Sequence, residues 1–242
     1  MGSCHCDYSY YCKGVEGLRK VVVYGATRNL YDAMKISANS LLLNNAVDKV
    51  YLLTEDDKPF HVPRNVKIIN VSNQTYFDRN NVNCKKRWTY MSLMRCALTK
   101  LLNESVVLWL DCDTITDADI SDLFNTDLTG CYFAGVKEPQ NCSANYTYIN
   151  AGVLLMNLDE MRKDKLDDEL INLLNTRPMM LPDQDAINTL GQGKIKPISG
   201  KYNCCAWTEQ ADEKKIIHYA ANAYFMTEKK FKEYAKKEGK IK

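Results

Sequence analysis

The sequence lacks a long apolar run and any strong excess of one charge. No stretch is long enough to cross a bilayer, and the first residues, MGSCHCDYSYYCKG, contain no apolar core of a secretory signal. The 242 residues carry a formal net charge of only +2, which gives no general electrostatic field for nucleic acid. We therefore expect a cytoplasmic protein that does not bind nucleic acid.

Internal repeats and an obvious interdomain linker are also missing. A chain of this length is able to bury one large core as a single α/β domain. We expect residues 19–226 to form that domain, with an N-terminal tail at residues 1–18 and a lysine-rich helix or tail at residues 227–242.

Cysteine, in contrast, is abundant, with ten residues in the chain. Without a secretion signal the default expectation is reduced thiols. Three lie inside apolar patterns and are expected in the core: Cys96, Cys112 and Cys131. The cluster Cys4, His5, Cys6 and Cys12 contains metal-ligand side chains, but its spacing matches no standard zinc pattern, and a tail is the favoured alternative.

Apolar runs and helical periodicities alternate along the first half of the chain. This alternation is typical of βαβ units, and it predicts an α/β fold in which helices flank a mostly parallel sheet. The predicted strands are residues 20–24, 50–54, 66–71, 106–110, 132–136, 152–156 and 216–219. The predicted helices are residues 30–44, 88–102, 158–174 and 184–190.

The predicted strand at residues 106–110 ends in two acidic residues, Asp111 and Asp113. If the extended geometry persists, residues i and i+2 point to the same side, so the two carboxylates converge. Ligands of open parallel sheets bind at the carboxyl ends of the strands. Two carboxylates at such an edge suit Mn²⁺ or Mg²⁺ together with a substrate phosphate.

Two enzyme classes share this Asp-x-Asp pattern. A nucleotide-sugar transferase uses it to hold a metal, whereas a haloacid-dehalogenase-like phosphatase uses the first Asp as a nucleophile. The phosphatase pattern places the strand near the N-terminus and Thr or Val at the position of Ile115. Here several βαβ-like units precede the acidic pair, which favours the transferase.

Five segments occur in an order that decides between these alternatives. They are VVYGATRNL at residues 22–30, the helical segment 90–102 before the acidic strand, YINAGVLLMN at 148–157, LPDQDAIN at 181–188 and KIIHY at 215–219. Their order resembles glycosyltransferase family 8, which includes glycogenin and bacterial lipopolysaccharide α-galactosyltransferases. The resemblance spans about residues 20 to 226 and implies a GT-A fold, a Rossmann-like nucleotide-diphospho-sugar transferase domain.

The first segment is similar to the family's nucleotide-binding turn. The resemblance implies that Tyr24, Ala26 and Asn29 contact the nucleotide of the donor. Two positions depart from the family pattern. Thr27 stands where an acidic residue is often found and Leu30 where tyrosine is common, and these departures bear on the choice of UDP.

The next segments imply the sugar-binding and catalytic residues. Asn150 and Gly152 match an Asn-x-Gly segment of the family. Asp183 is implied to grip hydroxyls of the donor sugar, and Gln184 is implied to lie near the anomeric carbon, so both are candidate catalytic residues. Asn203 is assigned to the same substrate-binding set. Each segment also has a structural reading, as a turn before a core strand or a capped helix start.

The resemblance also implies a metal centre and a phosphate contact. Asp111, Asp113 and His218 are the implied ligands of Mn²⁺ or Mg²⁺, and Asp111 also contacts the substrate. Arg95 is the implied active-site arginine, with Arg87 as the second choice. The family's phosphate-binding lysine, in a Lys-Pro-Trp segment after a glycine, has no counterpart within residues 220–225, where the chain reads AANAYF. Either a nearby lysine such as Lys229 replaces it, or the site binds the nucleotide-sugar donor less tightly.

The implied activity is metal-dependent, retaining transfer of a hexose from a nucleotide diphosphate sugar, UDP-glucose or UDP-galactose, to an acceptor hydroxyl on a glycan, lipid-linked or protein acceptor. A catalytically silent nucleotide-sugar-binding module is the alternative that the altered phosphate end leaves open. The seven lysines of residues 227–242, with Phe231 and Tyr234 on one helical face, allow at most a weak contact with an anionic membrane surface; a solvated terminal helix is the favoured alternative.

Overall fold

The computed structural model describes residues 19–84 and 88–242. The N-terminal tail with its Cys/His cluster and Arg87 lie outside the described residues. A seven-stranded sheet forms the centre of the domain, and a two-stranded ribbon lies beside it. The sheet contains β1 (Val21–Gly25), β2 (Lys49–Thr54), β3 (Val66–Asn70), β4 (Val106–Leu110), β6 (Phe133–Lys137), β7 (Ile149–Asn157) and β8 (Ile195–Ile198), and the ribbon contains β5 (Thr114–Thr116) and β9 (Ile216–His218).

The strand order in the sheet is β3-β2-β1-β4-β7-β6-β8. Neighbours pair in parallel except for β7, which runs antiparallel to both β4 and β6. The predicted mostly parallel sheet is therefore present, and all seven predicted strands lie in it or in the ribbon. The sequence reading missed β5, which has three residues, and β8, an edge strand interrupted by Pro197.

Helices cover both faces of the sheet. They are α1 (Tyr31–Asn44), α2 (Tyr90–Leu93), α3 (Leu98–Leu101), α4 (Leu158–Asp164), α5 (Leu166–Thr176), α6 (Pro182–Leu190) and α7 (Lys229–Ala235). The predicted helices at residues 30–44 and 184–190 are confirmed as α1 and α6. The other two predicted helices are each interrupted.

The prediction of one helix at residues 88–102 was wrong, because a 3₁₀ turn, Met94–Ala97, separates α2 from α3. Its residues are all buried, so the tighter turn is set by packing rather than by a helix breaker in the sequence. The predicted helix at residues 158–174 breaks at Lys165, whose φ of 56° lies in the left-handed region. Periodicity detects apolar faces but not such local changes of winding.

Two apolar cores lie on opposite faces of the sheet. Alternate residues of β4 divide between them: Leu108 and Leu110 face the core that contains α1, whereas Val107 and Trp109 face the core that contains α2 to α6. Cys96 and Cys112 are buried as predicted, whereas Cys131 is only half-buried. Both faces of β4 are therefore covered, which explains why its sequence is apolar throughout.

The lysine-rich C-terminal segment packs against the domain. Phe231, Tyr234 and Ile241 are buried in the α1-side core, and the backbone of Ile241 exchanges two hydrogen bonds with the side chain of Asn39. The aromatic face of α7 therefore points into the protein and is not available to lipid, contrary to the amphipathic reading. No helix among the described residues is long and apolar enough to cross a membrane.

The strand directions bring residues from several segments to one edge of the sheet. β4 and β6 point the same way, so their carboxyl ends, at Asp111 and Glu138, share an edge. β7 runs in the opposite direction and brings its first residues, Ile149 and Asn150, to that edge. Most of the predicted site residues lie at this edge.

Candidate active site

The acidic pair Asp111 and Asp113 lies in a turn and not in a continuing strand. β4 ends at Leu110, and the backbone N–H of Thr114 donates to the carbonyl of Asp111 at 3.2 Å, which closes the turn before β5. The two carboxylates do converge, but the expected cause, an extended backbone through Asp113, was wrong. The turn, and not the two-residue period of a strand, brings the two side chains together.

His218 reaches the acidic pair through the two-stranded ribbon. β5 and β9 pair antiparallel with Thr114 opposite His218. This pairing sets the imidazole Nε2 at 3.3 Å from Oδ1 of Asp113. One ligand atom from each of Asp111, Asp113 and His218 lies within 4.8 Å of the other two. The resemblance to the family implied this set, in which His218 lies more than a hundred positions after Asp111.

The donor set of this cluster fits a divalent cation. Asp111 accepts hydrogen bonds from Arg95 and Trp109, and both fall on Oδ1, so its second oxygen is able to serve as a ligand. Two carboxylates suit Mg²⁺ or Mn²⁺, while an imidazole suits softer ions than Mg²⁺. The mixed set of carboxylate and imidazole ligands is therefore compatible with a divalent cation.

The ring of His218 is held from two sides. Its Nδ1 lies 2.8 Å from Oδ1 of Asn203, and its Cε1 lies against Gly152, where any Cβ would come within 2.1 Å. Burial alone would lower the pKa of His218, but the charge and hydrogen bond of Asp113 outweigh it and raise that pKa above its ordinary value. Gly152 is thus required so that the ring can pack on β7.

Arg95 lies beneath the acidic turn, and its side chain is only 4% exposed. Its Nη2 donates to Oδ1 of Asp111 at 2.6 Å, and its Nε lies 2.9 Å from Oδ2 of Asp183. The guanidinium also stacks on the ring of Trp109 at 4.7 Å. In this arrangement Arg95 bridges two carboxylates of the site, and its predicted contact with substrate stays a prediction.

Asp183 and Gln184 lie in the first turn of α6, which begins with Pro182. Burial raises the pKa of Asp183 above its usual value, although the nearby charge of Arg95 opposes the rise. The amide of Gln184 is fixed: its Oε1 accepts from the N–H of Ala151 at 3.0 Å, and its Nε2 donates to Tyr148. The structure therefore links Asp183 to the acidic turn through Arg95, whereas Gln184 is held by Ala151 of β7 and by Tyr148.

Glu138 is a site residue that sequence analysis missed. It follows β6 directly, is 4% exposed, and accepts hydrogen bonds from Asn150 and Gln184. The available signal was a carboxylate directly after the buried run FAGVK, the same pattern that drew attention to Asp111. The predicted residues Asn150 and Asn203 join the same network, because Nδ2 of Asn203 donates to Oδ1 of Asn150 at 2.8 Å.

The turn between β1 and α1 lies at the ends of β1 and β2. Tyr24 and Ala26 are buried, and the N–H of Ala26 donates to Leu53 of β2, so neither side chain is presented at the surface. Thr27 donates from Oγ1 to Oδ1 of Asn29 at 2.6 Å, which turns the amide N–H₂ of Asn29 away from Thr27. Their predicted nucleotide contacts stay predictions.

Another buried carboxylate, Glu55, lies beside this turn. It accepts from the N–H of Arg28, from the hydroxyl of Tyr90 at 2.8 Å and from Arg79 at 3.1 Å. Burial would raise the pKa of Glu55, but these hydrogen bonds and the charge of Arg79 lower it below its ordinary value. Sequence analysis gave Glu55 no role.

The segment after His218 contains a residue in the left-handed region. Ala221 has a φ of 65°, a left-handed conformation that favours glycine. Lys229 lines a surface groove formed with Thr227, Lys232, Glu233 and Lys236. None of the predicted site residues lines that groove, so the replacement of the family's lysine by Lys229 stays a prediction.

Comparison with known proteins agrees with this geometry. The profile of the family Glycosyl transferase family 8 matches residues 21–225. Lipopolysaccharide 1,2-glucosyltransferase of Escherichia coli (strain K12) is 24% identical over 206 residues, which cover 75% of this chain and 61% of the relative. Glycosyltransferase GlyA of Streptococcus pneumoniae serotype 4 is 25% identical over 230 residues, or 86% of this chain and 32% of the relative. The chain thus spans less than two thirds of either relative.

Solved structures show the same fold. Galactosyltransferase LgtC, in complex with donor and acceptor sugar analogues, matches with a TM-score of 0.70 at 18% identity over 89% of this chain and 95% of LgtC. Glycosyltransferase GlyE of Streptococcus pneumoniae TIGR4 matches with a TM-score of 0.68 at 19% identity, over 91% of this chain and 61% of GlyE. These matches confirm the predicted GT-A fold.

Proposed function

The chain belongs to glycosyl transferase family 8, and from this premise we propose that it transfers a hexose from a nucleotide diphosphate sugar to an acceptor hydroxyl, with retention at the anomeric carbon and with a bound divalent metal. The observation that carries the proposal is the cluster of Asp111, Asp113 and His218 within 4.8 Å at the edge of the sheet. The same membership favours the transferase over the phosphatase.

A divalent metal bound here would supply positive charge to neutralise the departing diphosphate. Mn²⁺ is the proposed ion because imidazole and carboxylate ligands occur together. Asp111, Asp113 and His218 would hold it. Arg95 keeps the carboxylate of Asp111 in place and offsets part of its charge, so that the acidic turn stays ordered before the donor binds.

The sugar would lie between the acidic turn and the start of α6. Asp183 and Asn150 offer oxygen and amide groups for sugar hydroxyls. Gln184 is held rigidly by the N–H of Ala151 and by Tyr148, which suits a group that must sit beside the anomeric carbon without moving. The acceptor oxygen attacks the anomeric carbon from the face of the leaving group, as the bond between that carbon and the diphosphate oxygen breaks. The proton of the acceptor hydroxyl is transferred to the departing diphosphate.

The nucleotide would occupy the β1–α1 turn. Asn29, whose Oδ1 is engaged by Thr27, presents its N–H₂ to the ligand, and Tyr24 and Ala26 contribute backbone. We propose UDP-glucose or UDP-galactose as the donor. A complex of LgtC with donor and acceptor sugar analogues shows that this fold accommodates both ligands together. The acceptor would be a glycan, a lipid-linked sugar or a protein.

The exposed lysines of α7 support a weak peripheral contact with an anionic membrane surface, and electrostatics alone would drive it because Phe231 and Tyr234 are buried. Co-sedimentation with phosphatidylserine vesicles should then be weak and should disappear in high salt. Binding that persists in high salt would contradict this electrostatic contact.

The decisive experiment is a panel of nucleotide sugars incubated with the purified full chain, with and without Mn²⁺. We expect hydrolysis or transfer from a UDP-hexose that needs Mn²⁺ and is lost in Asp113→Asn. The anomeric configuration of the product, read by NMR, tests retention. Tight donor binding without turnover in the presence of any acceptor would instead support the silent binding module, and absence of both would overturn the proposal.

A further inference from the structure

Glu138 is a buried carboxylate surrounded by side-chain amides. Its Oε1 accepts from Nδ2 of Asn150 at 2.8 Å and from Nε2 of Gln184 at 3.2 Å, and its Oε2 accepts from Nδ2 of Asn141 at 2.8 Å. A buried carboxylate costs free energy unless such bonds compensate it. An ionised carboxylate only accepts, so each of these amides has to turn its N–H₂ group toward it.

The orientation of Asn150 then sets that of Asn203. Because Nδ2 of Asn150 donates to Glu138, its Oδ1 faces the other way, where it accepts from the N–H of Gly152 at 3.0 Å and from Nδ2 of Asn203 at 2.8 Å. The amide group of Asn203 is thereby used, and its Oδ1 faces the ring of His218. The acceptor oxygen of Glu138 therefore determines which atom donates and which accepts in each following hydrogen bond.

The last hydrogen bond in this series, between Asn203 and His218, determines which ring nitrogen of His218 carries the proton. Oδ1 of Asn203 lies 2.8 Å from Nδ1 of the ring. Since Oδ1 can only accept, Nδ1 has to carry a proton. In the neutral ring the lone pair is then on Nε2, which faces Asp113 at 3.3 Å and belongs to the acidic cluster. A neutral imidazole coordinates a metal through the unprotonated nitrogen.

We propose that Glu138 is a positioning residue that, through the amides of Asn150 and Asn203, fixes His218 in the tautomer protonated on Nδ1 and so keeps Nε2 ready for the metal. This inference rests on the proposed function only in that it takes Asp111, Asp113 and His218 as the metal site. The same carboxylate also fixes the amide of Gln184, so one side chain orients both the metal ligand and the candidate catalytic residue.

The first test reads the tautomer directly and needs neither metal nor activity. Long-range ¹H–¹⁵N NMR of the metal-free full chain, at an alkaline pH where the ring is neutral, should show the Nδ1-protonated pattern for His218, assigned with His218→Gln. Glu138→Met, which keeps the length of the side chain but removes the acceptor, should lose this preference. A wild-type ring protonated on Nε2 would overturn the proposal without reference to any variant.

The second test measures Mn²⁺ affinity by the EPR signal of the free ion, without nucleotide. Glu138→Met should weaken binding by about 10- to 100-fold, the usual effect of losing the group that orients a ligand. Glu138→Gln should stay within about threefold of wild type, because its amide oxygen is able to face Asn150 while its N–H₂ faces exposed Asn141, which is free to turn over. Asn141→Ala is the matched control and should also leave affinity unchanged.

A double-mutant cycle separates orientation from general destabilisation. Asn203→Asp keeps an acceptor for Nδ1 of His218 but removes the donor to Asn150, which disconnects Glu138 from the ring. In that background Glu138→Met should no longer weaken Mn²⁺ binding. An equal loss in both backgrounds would refute the proposed route. If wild type binds no Mn²⁺ but the tautomer depends on Glu138, the proposed enzyme fails while the positioning role stands.

Discussion

Gly152 and His218 are in such close contact that a Cβ on Gly152 would lie 2.1 Å from Cε1 of the imidazole. Gly152→Ala therefore has to push the ring away from the acidic turn. We expect the variant to bind Mn²⁺ at least about tenfold more weakly, as when an orienting contact of a metal ligand is lost. Mn²⁺ titration followed by EPR measures the change.

Gly135→Ala is the matched control for that variant. Gly135 lies in the neighbouring strand β6, and its added Cβ would meet the flexible end of Ile149 at 2.8 Å. This substitution should lower the thermal midpoint but leave Mn²⁺ affinity unchanged. Equal affinities in the Gly152 variant and in wild type would show that the ring of His218 is not held by this contact.

Removal of Arg95 should expose the repulsion between the two carboxylates that it bridges. Arg95→Met leaves Asp111 and Asp183 without their counter-charge, and breaking a buried ion pair in this way costs about 3–5 kcal/mol. For a domain of this size that corresponds to a fall in thermal midpoint of roughly 6–20 °C. Differential scanning calorimetry provides the measurement.

Mn²⁺ should restore part of the stability lost in Arg95→Met, because a cation beside Asp111 replaces some of the missing charge. The increase in thermal midpoint on adding Mn²⁺ should therefore be larger in the variant than in wild type. Arg19→Met is the control, since its pair with Glu104 is exposed and contributes about 1 kcal/mol or less. An Arg95 variant as stable as wild type would mean that the site tolerates the uncompensated carboxylates.

The sheet and the acidic pair were predicted from the residues themselves, and the resemblance to the family added His218 to that pair. Buried strands such as β1 and β4 are continuous apolar runs, so their existence follows from composition, and the acidic pair and His218 follow the ends of such runs. The order of the motifs supplied the family. Each motif is a local feature of the sequence, whereas the order of the motifs extends over most of the chain.

Features that depend on contacts between distant segments were not predictable. The break at Met94–Ala97 falls among buried residues, and the break at Lys165 is a left-handed residue; neither is marked by proline or glycine in the sequence. The contact of Glu138 with Asn150 depends on the antiparallel pairing of β6 and β7, which brings the side chain of Asn150 within hydrogen-bond distance of Glu138. The ribbon of β5 and β9, which brings His218 to Asp113, pairs residues about a hundred positions apart.

The buried carboxylate of Glu55 predicts a dependence of stability on acid. Its pKa is lowered from 4.5 in the folded protein: burial opposes this, but the hydrogen bonds of Arg28 and Tyr90 and the charge of Arg79 prevail. A lowered folded-state pKa contributes stability that is present above pH 4.5 and is lost as the pH falls through the folded-state pKa. The stability difference between wild type and Glu55→Gln should shrink over that interval.

Urea unfolding at pH 7 and at several values below 4.5 would measure this difference for Glu55. A constant offset between the two proteins at every pH would mean that the charge of Glu55 is not what stabilises the fold. Glu55 adjoins the β1–α1 turn and accepts from the N–H of Arg28. The same variant should therefore also weaken UDP-sugar binding.

The left-handed conformation of Ala221 predicts a stabilising substitution. With φ at 65°, its Cβ crowds the backbone, at a cost of about 1–2 kcal/mol. Ala221→Gly removes that strain, while the greater freedom of glycine in the unfolded chain takes back about 0.4–1 kcal/mol. The net expectation is a gain of up to about 1.6 kcal/mol in the free energy of unfolding. Ala220→Gly, at a neighbour without a positive φ, should instead lose about 0.4–1 kcal/mol. Urea unfolding of both variants decides the matter, because two losses would mean that Ala221 is not strained.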